Sequence, residues 1–251
     1  MDAVADENRD AANPRWVIAE QVADAARRHF PGAILAIGVH GSLAHGDDTD
    51  ASDIDLVVVT HHANVGPRPA TRRIDGIVVD LGVISAEEYL RHARTLSTSW
   101  PLAADRYVTT KPIYDPHAWL EMLRDVHLGR LADARESEFA TLAREAWCQG
   151  AEAHARATRL AAWHDTDAAL LMLAEARIAA AAVIGLLTRT YFRNTADAVT
   201  RTGLASAGIR ELGAVLQAQA DELAQRGRPV DGTVDDLFSW SPIASRTPAR
   251  Y

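Results

Sequence analysis

The sequence predicts an α+β chain: a mixed β-sheet flanked by helices over residues 1–115, followed by an α-helical bundle over residues 116–251. Three observations lead there. Apolar runs of strand length at 34–39, 53–60 and 77–84 are separated by turn and loop residues. The pair Asp75-Gly76 stands between two extended segments as a tight hairpin, which makes part of the sheet antiparallel. From about Pro116 the strand pattern gives way to helical spacing and alanine, which continue to residue 226.

Residues 1–13 are polar and read as frayed. Asn13-Pro14 reads as a helix start, with Val17, Ile18, Val22 and Ala25 or Ala26 on one face, and Pro31-Gly32 ends that helix after Phe30. Strands follow at 34–39, 53–60, 71–75 and 77–84, with a polar, Gly- and Pro-containing loop from His61 to Pro69. Ser85 is the cap of a helix expected from Ala86 to about Leu96, and Lys111 to Tyr114 adds a last short strand. In the helical half, breaks are expected near Gly129, His164–Thr166, Asn194 and Ala205–Gly208. Arg226-Gly227-Arg228-Pro229 ends the bundle and the tail to Tyr251 is irregular.

A net charge of −8 argues against a general nucleic-acid binder, which presents a basic face. It suits a polycationic small partner, although mild acidity also serves solubility. The single cysteine, Cys148, excludes an internal disulfide, agrees with a reducing cytoplasm and reads as a small packing residue of a helix. The acidic stretch Met1 to Asp10 has no apolar core of a secretory signal. The longest apolar run, Ile178 to Leu187, is too short to cross a bilayer, so no membrane span is expected.

The chemistry-bearing stretch is His40-Gly41-Ser42-Leu43-Ala44-His45-Gly46, followed by Ser52-Asp53-Ile54-Asp55 and an apolar strand. Strand side chains alternate, so Asp53 and Asp55 share one face while Ile54 and Leu56 turn to the other. Two carboxylates on one edge repel unless a cation sits between them, and oxygen-only ligands of this kind suit Mg²⁺. Gly41-Ser42 supplies the other half of a phosphate site, because glycine lets the backbone approach an anion closely. Asp80, a single acid in the apolar run Ile77 to Leu81, is the third candidate ligand, since a lone buried Asp is costly unless paired. His40 packs or orients the turn; His61 and His62 lack the spaced third ligand that a zinc site needs.

This arrangement resembles the nucleotidyltransferase superfamily typified by DNA polymerase β, whose signature is Gly-Ser, Asp-x-Asp and a third acid on a nearby strand. Trp100-Pro101-Leu102, Pro112-Ile113-Tyr114-Asp115 with Leu120-Glu121, and Ile184-Gly185-Leu186 with Arg189 look like segments of the aminoglycoside 4'-O-nucleotidyltransferases, in order and approximate spacing. The likeness runs from about residue 15 to about 200.

The resemblance implies attack of an aminoglycoside 4'-hydroxyl on the α-phosphorus of a nucleoside triphosphate, ATP or another, with pyrophosphate leaving. It implies Asp53, Asp55 and Asp80 as Mg²⁺ ligands, Asp80 also serving catalysis, and Gly41, Ser42 and His45 at the triphosphate. It further implies a homodimer with shared active sites. The family's glutamate base falls at Gln149 here and its nucleotide-contacting lysine at Ala153, neither able to do that job. Glu138, Glu145 and Glu152 lie along one stripe of the same helix, so Glu145 is the expected catalytic base, with Glu152 in reserve. Glu145, Gln149 and Glu152 are also the expected acceptor contacts, unless the stripe is only a solvated face. Trp147 and Trp163 read either as an apolar wall for sugar rings or as core. Other readings are a nucleotidyltransferase acting on a protein or nucleotide, and a non-catalytic nucleotidyltransferase-like antitoxin.

Overall fold

The computed structural model of the chain describes residues 13–235. The expectations for residues 1–12 and for the tail beyond 235 lie outside the described residues.

Helix α1 (Pro14–His29) starts where Asn13 caps it, the Asn13 side chain accepting from the Arg15 N–H. Its buried face is Arg15, Trp16, Ile18, Ala19, Ala23 and Ala26. Val17 is 43% exposed, so the apolar face is rotated by about a residue from the one expected. Strand β1 (Ile34–His40) leads into a one-turn helix α2 (Gly41–His45), then β2 (Ile54–Thr60), β3 (Ala70–Ile74) and β4 (Ile77–Ser85). Ser85 caps helix α3 (Ala86–Ala93), accepting from the Glu88 N–H at 3.3 Å. The helix stops three residues short of Leu96, and two short helices unforeseen in the sequence follow, α4 (Trp100–Ala103) and α5 (Asp105–Thr109). Strand β5 (Lys111–Tyr114) completes a five-stranded mixed sheet of order β3-β4-β2-β1-β5. Only β2 and β4 run parallel; the β3–β4 hairpin turns at Asp75-Gly76.

One sheet face carries Ile37, Val39, Ile54, Leu56 and Val58 against α1. The other carries Ala36, Val57 and Val59 against α3 and helix α6 (Trp119–Asp133), through Tyr89, Ala93, Trp119, Leu120 and Leu123. Helix α6 thus follows the strands in sequence yet packs on the sheet. It runs through Gly129, and the break expected there falls instead at Ala134-Arg135. Buried Leu123 and fully buried His127 hold that helix, which offsets the roughly 1 kcal/mol an interior glycine costs.

Helices α7 (Glu136–Ala162) and α8 (Thr166–Thr188) pack antiparallel, closely enough that a Cβ at Gly150 would lie 3.3 Å from the Ala179 methyl. Helix α9 (Thr195–Arg201) starts at an Asn194 cap, and α10 (Ile209–Gln225) is tied to the pair by Trp147 Nε1–H donating to Leu216 O and Gln219 Nε2–H to Ala180 O. Trp147 is therefore a core residue with a satisfied N–H, whereas Trp163 is 70% exposed. Cys148 is exposed and is not the packing residue the helical pattern suggested.

By length and composition alone α8 is long and apolar enough to cross a membrane, a longer apolar stretch than its ten-residue run indicated. Here it is the central helix of the bundle, burying Leu173, Ala176, Ala180, Val183 and Leu186.

Candidate functional site

Strand register brings the candidate acids together. Asp55 on β2 pairs with His40 on β1 and with Asp80 on β4, and Asp80 pairs with Thr71 on β3. Register partners share a face, so Thr71, Asp80, Asp55 and His40 form one row across four strands. Asp53, two residues before Asp55, falls on the same face. Ile54 and Leu56, which alternate with them, are buried against α1 as expected. Two residues further along β2 on the acidic face, Val57 is already under the α3–α6 layer. The acids therefore sit where that helical cover ends.

The carboxylates feel one another. Burial, and after it the charges of Asp53 and Asp80, push Asp55 up to about 6. Asp80 lies on the exposed part of β4, which corrects the expectation of a buried lone acid. What fixes it is the Thr71 hydroxyl, donating to Asp80 Oδ1 at 2.6 Å. Thr71 was legible: a two-residue turn at Asp75-Gly76 sets the register that puts Thr71 opposite Asp80.

Gly41 stands directly over this row. Its φ is +71°, and a Cβ there would lie 2.3 Å from Asp55 Oδ2. The turn is built to let backbone pass against a carboxylate. Ser42 is half-buried, and its hydroxyl has no hydrogen-bond partner among the described residues. Gly46 closes α2 in the left-handed region.

His45 is held by a partner outside the motif: its Nε2 lies 3.0 and 3.1 Å from the two oxygens of the buried Asp105 carboxylate. Asp105 in turn accepts from the Thr109 hydroxyl. No local pattern marks Asp105, which is sixty residues away in a stretch without strong periodicity. Burial, and next the Arg106 guanidinium, hold His40 below its usual value.

The loop from Gly46 to Asp53 is tied down from two sides. Arg15, itself buried, donates from Nε to Ser52 O and faces Asp48, which also accepts from Asn13 Nδ2. Asp47 pairs with Arg193, just beyond α8.

Three oxygen-only side chains gathered on one face, with the charges of Asp53 and Asp80 raising the proton affinity of Asp55 between them, fit a hard divalent cation such as Mg²⁺, and Asp53, Asp55 and Asp80 are the residues that could hold it. They are gathered by face and register; among the described residues no closed metal-binding group of His, Cys, Asp or Glu is preassembled.

The helical-half candidates are placed differently from one another. Glu145, Gln149 and Glu152 are all exposed on α7. Glu152 pairs with Arg156, and Glu138 of the same stripe pairs with Arg130. Of the three, Gln149 alone lines an open groove of about 290 Å³ between α7, α8 and the start of α4. Ala153 lines it too, and so does Glu175 of α8, which sequence reasoning passed over. Its signal was a lone acid on an otherwise apolar helix face.

Residues 19–99 match the nucleotidyltransferase domain family, a span containing the Gly-Ser turn and all three acids. Two curated relatives, both named aminoglycoside nucleotidyltransferase (4'), come from Staphylococcus aureus and from Bacillus sp. Each is 28% identical over 109 residues, 43% of this chain and 42% of the relative, so the match spans less than half the length of either. A solved nucleotidyltransferase-like protein from Exiguobacterium sibiricum 255-15 is 16% identical, covers 82% of this chain and 74% of its own, and has a TM-score of 0.43. The resemblance read from the motifs is thus borne out by a nucleotidyltransferase domain and by relatives bearing the aminoglycoside name.

Proposed function

We propose that, from its nucleotidyltransferase domain, this chain transfers a nucleoside monophosphate from a nucleoside triphosphate to the 4'-hydroxyl of an aminoglycoside, releasing pyrophosphate and giving resistance. The observation that carries the reaction type is the row of Asp80 and Asp55 with Asp53 beside a glycine turn that a Cβ would block. The acceptor class is supported by the names of the two relatives and by the net charge of −8, which suits a polycation.

In this reading Ser42 donates its free hydroxyl to the triphosphate, and His45, aimed by Asp105, stands beside it. Asp53 and Asp55 would hold Mg²⁺, and Asp80 would complete the set beside the acceptor. When bound, the ion neutralises the charge that builds up as phosphoryl oxygens exchange. Glu145 is the candidate base for the acceptor proton, with Glu152 second. We place the enzyme in the cytoplasm, with neither nucleic acid nor membrane as partner. We further expect a homodimer with shared sites: Trp163, Leu170 and Leu171 are 70, 56 and 62% exposed, an apolar patch around the α7–α8 turn for a second copy to cover.

The test is direct. With Mg²⁺ and ATP, or other triphosphates in turn, pyrophosphate release should depend on added tobramycin or kanamycin, and mass spectrometry should find the nucleotidylated drug. Gentamicin, which lacks a 4'-hydroxyl, should stay unmodified; a nucleotidylated gentamicin would make the 4' assignment wrong. Transfer to protein or nucleotide acceptors alone would favour another acceptor class.

A further inference from the structure

The groove between α7, α8 and α4 has an unusual make-up. Its floor is small, with Ala146, Ala153 and Ala179 leaving the space open, and its apolar walls are Leu102 and Ile178. Polar groups enter from three sides: the Thr98 and Ser99 hydroxyls ahead of α4, the Gln149 amide from α7 and the Glu175 carboxylate from α8. Glu175 is the one ionisable group of the lining. It makes no ion pair or hydrogen bond among the described residues. The other charged residue of that stretch of α8, Arg177, is occupied by donating twice to Ala207 O. Glu175 is solvent-exposed at the rim of the groove, and among the described residues no cation pairs with it.

The groove is also mechanically joined to the nucleotide end of the molecule. Leu102 walls the groove, and three residues on, Asp105 holds His45. Both belong to the compact α4–α5 segment, which Phe192 N–H clamps at 2.7 Å through Pro101 O.

We propose that this groove is the subsite for one amino-sugar ring of the acceptor and that Glu175 is its specificity-determining residue, taking the ring's ammonium group. The inference rests on the acceptor class proposed above and names the side chain that reads it. A pyranose ring has apolar C–H faces and a polar rim. Leu102 and Ile178 meet the faces; Gln149, Thr98 and Ser99 meet the hydroxyls; Glu175 meets the cation. A volume near 290 Å³ admits a ring or two and excludes a folded polymer. A charge-assisted contact of this kind separates an amino sugar from its hydroxyl analogue, because the carboxylate would otherwise be left facing a neutral group.

The experiment compares the full-length parent with Glu175→Gln, and with Glu87→Gln as a control that removes the same charge from exposed α3. Titration calorimetry follows binding of tobramycin in the absence of nucleotide, and steady-state kinetics follow transfer. Glu175→Gln should weaken tobramycin binding and raise its KM by about tenfold, with kcat and the triphosphate KM within about twofold of the parent. Glu87→Gln should leave all four unchanged. A second variant, Ala153→Leu, fills the groove without touching charge and should weaken binding similarly. Unchanged tobramycin binding in Glu175→Gln overturns the subsite while leaving the proposed function standing. A collapse of kcat at constant KM overturns it too, since Glu175 would then act in the chemical step. A parent that binds and modifies no aminoglycoside overturns the function and this inference together.

Discussion

Replacing Asp55 by Asn should abolish nucleotidyl transfer and, in the metal-free chain, raise stability. The two effects come from one cause. Asp55 sits between Asp53 and Asp80 in a partly desolvated row, and its carboxyl is pushed up to about 6 by burial first and those two charges next. A carboxyl whose folded value lies above its unfolded one binds its proton more tightly in the fold. Its contribution to stability is fully present below about pH 4 and is lost as pH rises to about 6. At neutral pH the ionised Asp55 therefore costs stability, on the order of 1 kcal/mol once solvent screening of a group this exposed is allowed for. Asparagine keeps the shape and removes the charge. Thermal melts in a chelator should show a higher Tm for Asp55→Asn at pH 7, converging with the parent near pH 4. Turnover should fall by about a thousandfold, the effect of several kcal/mol lost at the transition state. Asp53→Asn should lose as much activity but change the Tm less, because Asp53 is exposed. Turnover of either variant within tenfold of the parent would sink the assignment of these acids, and a lower Tm for Asp55→Asn would show that its charge is compensated in the free protein.

Much of this candidate site is legible in the amino-acid sequence, for a physical reason. Alternation fixes that Asp53 and Asp55 share a face and the two-residue turn sets Thr71 opposite Asp80, whereas the pairing of Asp55 with Asp80 comes from the parallel register of β2 and β4, which no local signal sets. The same logic located α1, the five strands and the caps at Asn13 and Ser85, where local signals and tertiary need agree. Failures cluster where partners are distant in sequence. Helices α4 and α5 are short and aperiodic, and they earn their order from packing: Trp100 on Phe139, Asp105 on His45. Helix α6 has the periodicity of a bundle helix, and nothing local says that Trp119 and Leu123 will face a sheet. The stripe of Glu138, Glu145 and Glu152 was read correctly as a face, but two of its members are engaged by arginines a short way along or across. The groove carboxylate, Glu175, came from the neighbouring helix, which only the packing of α7 on α8 could reveal.

Gly41→Ala should be the most damaging single-methyl change in the chain, and Gly46→Ala is its natural control. Both glycines have positive φ, +71° and +73°, so each alanine carries the same left-handed backbone strain of about 1 kcal/mol. They differ in what the new methyl meets. At Gly46 there is nothing within 4 Å. At Gly41 the Cβ would lie 2.3 Å from Asp55 Oδ2, so the turn or the carboxylate has to move. Asp55 has little freedom to yield, since its strand is locked in register between β1 and β4 and its charge is already crowded by Asp80. The turn has little either, because β1 leads straight into it and Leu43 and Ala44 are buried behind it. A shift of about an ångström at a phosphoryl-transfer site costs on the order of a hundredfold in rate. We therefore expect both variants to lose about 1 kcal/mol of stability through strain, with Gly41→Ala losing somewhat more. Turnover should separate them sharply: within about threefold of the parent for Gly46→Ala, and down by about a hundredfold or more for Gly41→Ala. The Asn variant of Asp55 sharpens the reading, because stability lost in Gly41→Ala through carboxylate crowding should be partly regained in the double variant Gly41→Ala, Asp55→Asn. Equal turnover in the two alanine variants would show that the close approach of Gly41 to Asp55 is incidental to the chemistry.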